Sequence, residues 1–135
     1  MKPQISLTLI LLLACAAVGA AVGAGCRPEA PVSARKISAS QARAVMAEFA
    51  DFMLLDVRTG PEFAAGRIAG AVLIPHTEIA GRAAGLPPDP ATTILVYCRT
   101  GRRSAIAAAD LVRMGRTNVY DFGGIEDWPY GIVRD

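Results

Sequence analysis

The chain has 135 residues, 53% of them apolar, and a formal charge of +2. That length allows one domain with a real core and excludes two domains plus a leader. The near-balanced charge, with no basic stripe and one positive unit on Lys2 alone, excludes a nucleic-acid binder.

Residues 5–24, ISLTLILLLACAAVGAAVGA, follow MKPQ and precede the first arginine, Arg27. A short basic start, an apolar run and then small residues predict a secretory leader over residues 1–26. The run is also long enough to span a bilayer, so an uncleaved anchor is the alternative. Ala and Gly in its second half favour processing. The protein is therefore expected to be exported, periplasmic or anchored to a membrane facing the periplasm.

Val22-Gly23-Ala24-Gly25-Cys26 is similar to a bacterial lipoprotein processing site, which makes Cys26 a candidate for lipidation and a membrane tether. Gly23 stands where Leu is usual. Leu12-Leu13-Ala14-Cys15 has that Leu but leaves a short apolar run before it. The plainer reading of Cys26 is an ordinary thiol. If Cys15 leaves with the leader and Cys26 carries lipid, Cys98 is the only free thiol. A lone Cys in an exported protein is either incidental or reactive.

Residues 27–36, RPEAPVSARK, have no apolar period and read as a flexible tether. The folded domain is expected over residues 37–135. Ser38-Ala39-Ser40-Gln41 has capping-box spacing, which predicts a helix from Ala39 to Ala50. Ala42, Val45, Met46 and Phe49 would form its buried face. Phe52 to Arg58, an apolar run ending in charges, predicts a buried strand. Thr59-Gly60-Pro61-Glu62 is a second capping box, so a short helix follows over Gly60 to Ala65, closed by a left-handed Gly66.

Ala71 to Ile74 predicts a short strand stopped by Pro75, and residues 77–84 a short helix. Leu86 to Pro90 is a loop. Thr93 to Tyr97, β-branched and aromatic, is the clearest strand, and it runs directly into Cys98. Ala105 to Met114 is an Ala-rich helix ended by Gly115. Asn118 to Asp121 is a last strand, and Gly123 to Trp128 a short helix or loop. Strands alternating with helices imply a single α/β domain, a mostly parallel central sheet with helices on both faces.

Ligands in such sheets bind at the carboxyl ends of the strands, where Cys98 lies. Between it and the predicted helix stands a six-residue loop, Arg99-Thr100-Gly101-Arg102-Arg103-Ser104. A loop of this kind can turn backbone N–H groups inward around an anion, and the following helix adds its positive end. That setting lowers a thiol pKa and holds the reactive thiolate. The three arginines favour an anionic substrate. Singly, Cys98 reads as a buried strand-end residue and the arginines as a solvated loop. Together, strand, Cys, loop and helix point to a site.

Three segments carry a resemblance to the rhodanese-like domain family. Leu55-Asp56-Val57-Arg58 through Glu62-Phe63, then Gly66 to Ala71, is similar to its first segment. Cys98 to Ser104 resembles its active loop. Gly123-Gly124 with Trp128 and Gly131 resembles its C-terminal signature. The resemblance covers Ile37 to Asp135.

It implies a single-domain thiosulfate sulfurtransferase. Cys98 would carry sulfur as a persulfide, taken from an anionic donor such as thiosulfate and given to a thiol, cyanide or a protein acceptor. N–H groups of residues 99–103 would stabilise the anionic sulfur. Arg99, Arg102 and Arg103 would attract the donor, in no assigned order. Asp56 and Arg58, at the end of their strand, could border the pocket; the family's chiefly structural use of this segment favours a scaffold role for them and Glu62, and the spacing allows an Arg58–Glu62 pair across the turn. Arg67 stands where many relatives have His. With His76 the one histidine and no spare cysteine, neither a metal nor a cofactor is expected.

Two other readings stay open. One is a persulfide carrier or binding module at the membrane that does not turn over. The other is a phosphatase or arsenate reductase on the same scaffold. The related dual-specificity phosphatases place five residues between Cys and Arg, whereas here Arg103 follows Cys98 after four and Ser104 takes the next position. The shorter loop suits one sulfur atom better than a tetrahedral phosphate.

Overall fold

The computed structural model describes residues 32–135. The predicted leader, Cys15, Cys26 and the first part of the tether lie outside those residues. Strand β1 is Arg35–Lys36, helix α1 Ala39–Glu48, strand β2 Phe52–Asp56 and helix α2 Gly60–Ala65. Strand β3 is Val72–Leu73, β4 Thr93–Cys98, helix α3 Arg102–Arg113 and strand β5 Val119–Gly124.

The five strands form one sheet in the order β1-β5-β4-β2-β3. Every neighbouring pair is parallel. The central β4 is buried along its whole length, as a strand covered on both faces must be. Leu55, Val57, Ile94 and Val96 pack in one core with Ala107, Ala108 and Leu111 of α3. Leu54, Leu95, Tyr97 and Phe122 pack in a second core with Ala42 of α1 and with Trp128. Each fully buried Leu or Ile in these layers contributes about 1.5–3 kcal/mol.

Helix α3 buries Ser104, Ala107, Ala108 and Leu111. That is the spacing of one helical face, and its small residues let α3 lie close on the sheet. Both predicted capping boxes form, Ser38 with Gln41 and Thr59 with Glu62.

Several boundaries differ from the sequence reading. Arg35 and Lys36 pair with Tyr120 and Asp121, so the sheet takes in two residues assigned to the tether. Helix α1 stops at Glu48 because Phe49 turns extended, with φ −103° and ψ 126°. Phe49 is therefore exposed rather than part of the buried face. Residues 77–84 form 3-10 turns at Ile79–Gly81 and Ala83–Gly85, not one helix. Gly66 closes α2 at φ 157° and ψ 136°, outside the left-handed helical region.

The largest difference concerns the segment after Cys98. Helix α3 begins at Arg102, three residues before the expected Ala105. The connection from β4 to α3 is thus only Arg99-Thr100-Gly101. Gly101, at φ 102° and ψ −13°, makes the turn; that left-handed backbone strains any residue with a side chain.

The connections of β2 through α2 and of β4 through α3 run to opposite sides of the sheet. The carboxyl ends of β2 and β4 therefore flank a topological switch point, where open parallel sheets form a crevice. Asp56 and Cys98 end these two strands.

Candidate active site

A helix start leaves its first backbone N–H groups without intrahelical partners. In α3 the capping position is Gly101, which has no side chain to fill them. The sulfur of Cys98 does so instead. Gly101 N–H donates to Cys98 Sγ at 3.0 Å. The N–H groups of Thr100 and Ser104 also favour the ionised sulfur. The first turn carries Arg102 and Arg103 and no acid, the reverse of what a helix dipole favours. An anion at Sγ supplies the missing negative charge.

Cys98 is fully buried. Burial pushes its thiol pKa up. The N–H groups of Ser104, Gly101 and Thr100 more than offset this, and the pKa lies below that of an ordinary thiol. The thiolate population at neutral pH rises accordingly.

Ser104 received no role from sequence. It is fully buried, and its hydroxyl donates to Gly101 O at 3.0 Å. Only the helix start reveals it, because the sequence pattern predicts a loop at Ser104.

The structure separates the three arginines. Arg103 is half-buried and gripped by Glu62: Nη1 donates to Oε2 at 2.8 Å and Nη2 to Oε1 at 2.7 Å. Arg99 is exposed, with Nε 3.4 Å from Glu126 Oε1 at the rim. Arg102 is exposed and, among the described residues, takes part in none of the ion pairs. It lines a groove of about 890 Å³ beside Thr100 and Gly101. A second groove, of about 370 Å³, is lined by Arg58, Glu62 and Glu126.

The expected Arg58–Glu62 pair does not form. Arg58 is bonded to Asp56, with Nη2 at 2.6 Å from Oδ2 and Nε at 3.0 Å from both oxygens. Nη2 also donates to Gly66 O at 2.7 Å. Both partners are buried, and the guanidinium spans from Asp56 at the strand end to the carbonyl that closes α2. The pair fixes the turn from β2 into α2. Tyr97 joins it: burial, then the nearby Asp56, pushes its phenol pKa well up, and its oxygen accepts Ile68 N–H at 3.2 Å. Glu62 is left free for Arg103, whose guanidinium holds the carboxyl well below the usual carboxylate range.

The corner is completed from β5. Asp121 Oδ1 accepts Gly123 N–H at 3.0 Å, and Glu126 N–H donates to Arg99 O at 3.3 Å. Arg67 lies outside the site; it bridges to Val133 and pairs with Asp135. His76 donates its backbone N–H to Val57 O at 3.1 Å.

The family profile of the Rhodanese-like domain matches residues 38–129. The thiosulfate sulfurtransferase PspE of Escherichia coli is 38% identical over 73 residues, covering 54% of this chain and 70% of that protein. The thiosulfate sulfurtransferase GlpE of Pseudomonas entomophila is 39% identical over 95 residues, covering 70% of this chain and 84% of that one. A rhodanese-related protein from Thermoplasma volcanium superposes with a TM-score of 0.65 at 31% identity, covering 75% of this chain and 99% of that chain. A rhodanese with anions from E. coli gives 0.58 at 35% identity, covering 62% and 98%. With an all-parallel sheet, a cysteine at the end of its central strand and a matching profile over most of its length, this chain belongs to the rhodanese-like domain family, as a sulfurtransferase of the single-domain, thiosulfate sulfurtransferase-like kind.

Proposed function

We propose that Cys98 is the sulfur carrier of a thiosulfate sulfurtransferase. The Cys98 thiolate attacks the outer sulfur of thiosulfate. The donor S–S bond breaks, and its electron pair leaves with sulfite. The persulfide anion on Cys98 is then attacked by cyanide or a thiolate. The bond between the two sulfurs breaks, and its electrons return to Cys98 as thiolate. The observation that carries this reading is the sulfur seated at the start of α3, accepting the Gly101 N–H at 3.0 Å. This donor serves thiolate and persulfide alike.

Arg102 is the arginine best placed to receive the oxyanion end of the donor. Arg103 is committed to Glu62, and Arg99 stands at the rim beside Glu126. Because Cys98 is fully buried, reaction requires local opening of the short Arg99–Gly101 connection. Ser104 occupies the position where the related phosphatases carry their arginine, which disfavours phosphate chemistry.

Two half-reactions sharing one covalent intermediate give ping-pong kinetics. Initial rates with thiosulfate and cyanide varied together are expected to give parallel double-reciprocal lines. Intersecting lines would sink the covalent scheme. Loading of Cys98 without turnover on any small acceptor would favour a carrier serving one protein partner.

We also infer export and lipidation at Cys26, from the apolar run of residues 5–24 and the small residues before that cysteine. A labelled fatty acid is expected to enter the wild-type protein and not Cys26→Ser. Equal labelling of both, or of neither, removes the assignment.

A further inference from the structure

We propose that Glu62 is a positioning residue for the sulfur chemistry, holding the Arg103 guanidinium at the helical turn that seats the Cys98 sulfur. The inference rests on the reading of Cys98 as the sulfur carrier.

The geometry is a two-point grip. Both terminal nitrogens of Arg103 are bonded to the two carboxylate oxygens of Glu62, at 2.7 and 2.8 Å. A fork-to-fork pair fixes the plane of the guanidinium as well as its place. The carboxylate is itself anchored. Glu62 Oε2 accepts the Thr59 N–H at 3.0 Å and the Thr59 hydroxyl at 2.8 Å, at the start of α2. An arginine on α3 is thus clamped by a group on α2, 41 positions away in sequence. Arg103 is the second residue of α3, whose capping residue Gly101 donates its N–H to Cys98 Sγ at 3.0 Å, so the clamped guanidinium belongs to the same turn that seats the sulfur. The other charged groups around the loop are engaged elsewhere or exposed: Arg99 with Glu126, Arg58 with Asp56, Asp121 with the Gly123 N–H, and Arg102 at the surface.

The substitution Glu62→Gln separates this role from its neighbours. Gln serves a capping box as well as Glu does, so the start of α2 is kept. The sign of the response is diagnostic. If Glu62 were only a nearby negative charge, removing it would favour the thiolate, and alkylation of Cys98 by iodoacetamide would reach its plateau at lower pH. If Glu62 holds Arg103 in place, losing the grip withdraws a cation from the sulfur, and the profile moves to higher pH.

The test measures that pH profile and the rate of sulfur loading from thiosulfate in the wild type, Glu62→Gln, Arg103→Met and the double variant. Glu62→Gln is expected to load about tenfold more slowly, the loss of roughly one charge-assisted hydrogen bond. Its alkylation profile moves to higher pH, and Glu62→Asp recovers part of both effects. The double variant is no slower than Arg103→Met alone, because Glu62 acts through Arg103. A profile at or below the wild-type pH, or effects that add in the double variant, overturns the proposal. A lowered melting temperature with an unchanged profile and loading rate also overturns it, and leaves a structural pin. If the wild type itself takes up no sulfur, the reading of Cys98 fails, while the alkylation profile still decides the role of Glu62.

Discussion

Cys98→Ser is expected to lower sulfur transfer from thiosulfate to cyanide by about 10⁴-fold or more, the scale on which loss of a covalent nucleophile acts. Serine is nearly the same size and sits at the same fully buried strand end. Its hydroxyl can still accept the Gly101 N–H that meets Sγ at 3.0 Å. Stability should therefore change by only about 1 kcal/mol. What is lost is chemical: an alcohol does not ionise near neutral pH, and oxygen does not carry a transferable sulfane sulfur. The measurement is initial rate beside a denaturant melt. A folded Cys98→Ser protein retaining a tenth of wild-type activity would move the chemistry to another group.

Gly124→Ala carries the second large effect, on packing. A Cβ on Gly124 would lie 2.2 Å from the carbonyl oxygen of Arg99 and 2.8 Å from the Cα of Thr100. Both are backbone atoms, so no change of rotamer relieves the clash. Either β5 or the Arg99–Gly101 turn must move. Overpacking of this kind costs about 3 kcal/mol. In the molecules that fold, the N–H groups around Sγ are displaced, and misplacement by about 1 Å can slow a reaction roughly 100-fold. Gly81→Ala is the matched control. Nothing lies within 4 Å of its added Cβ, and the change should stay within about 0.5 kcal/mol. A Gly124→Ala protein with the wild-type midpoint and rate would contradict the close approach of β5 to the loop.

The same contact explains part of what the sequence made legible. Gly123-Gly124 stands out in the chain as part of a family signature, but its reason is spatial: the second glycine gives room to a turn 25 residues earlier. Strands β2 and β4 were readable because both run as unbroken apolar segments, and α2 because Thr59 and Glu62 keep capping-box spacing. The start of α3 was not readable. Two arginines in a first helical turn oppose the dipole, so the pattern resembled a loop. Ionisation of the Cys98 sulfur, favoured by its lowered pKa, offsets that cost, and the sequence does not display the sulfur as a cap. Local rules that fail at one place often mark a working site.

Partner choice was the other blind spot. Glu62 has Arg58 four residues before it, and local spacing suggested that pair. The actual partners are Asp56 for Arg58 and Arg103 for Glu62. The first arises because the buried Asp56 lies two residues from Arg58 and meets it with both oxygens. The second depends on α2 and α3 meeting across the switch point, which no local window contains. Strand β1 escaped for a simpler reason: two residues, both exposed and basic, show no apolar pattern.

The central claim is that Cys98 holds a transferable sulfur. Intact mass of the protein after incubation with thiosulfate tests it most directly. The expected result is a gain of one sulfur atom, mapped to Cys98 by peptide digestion, removed by cyanide and absent from Cys98→Ser. Folded wild-type protein that gains no sulfur, or a Cys98→Ser variant that gains it equally, would rule out Cys98 as the carrier.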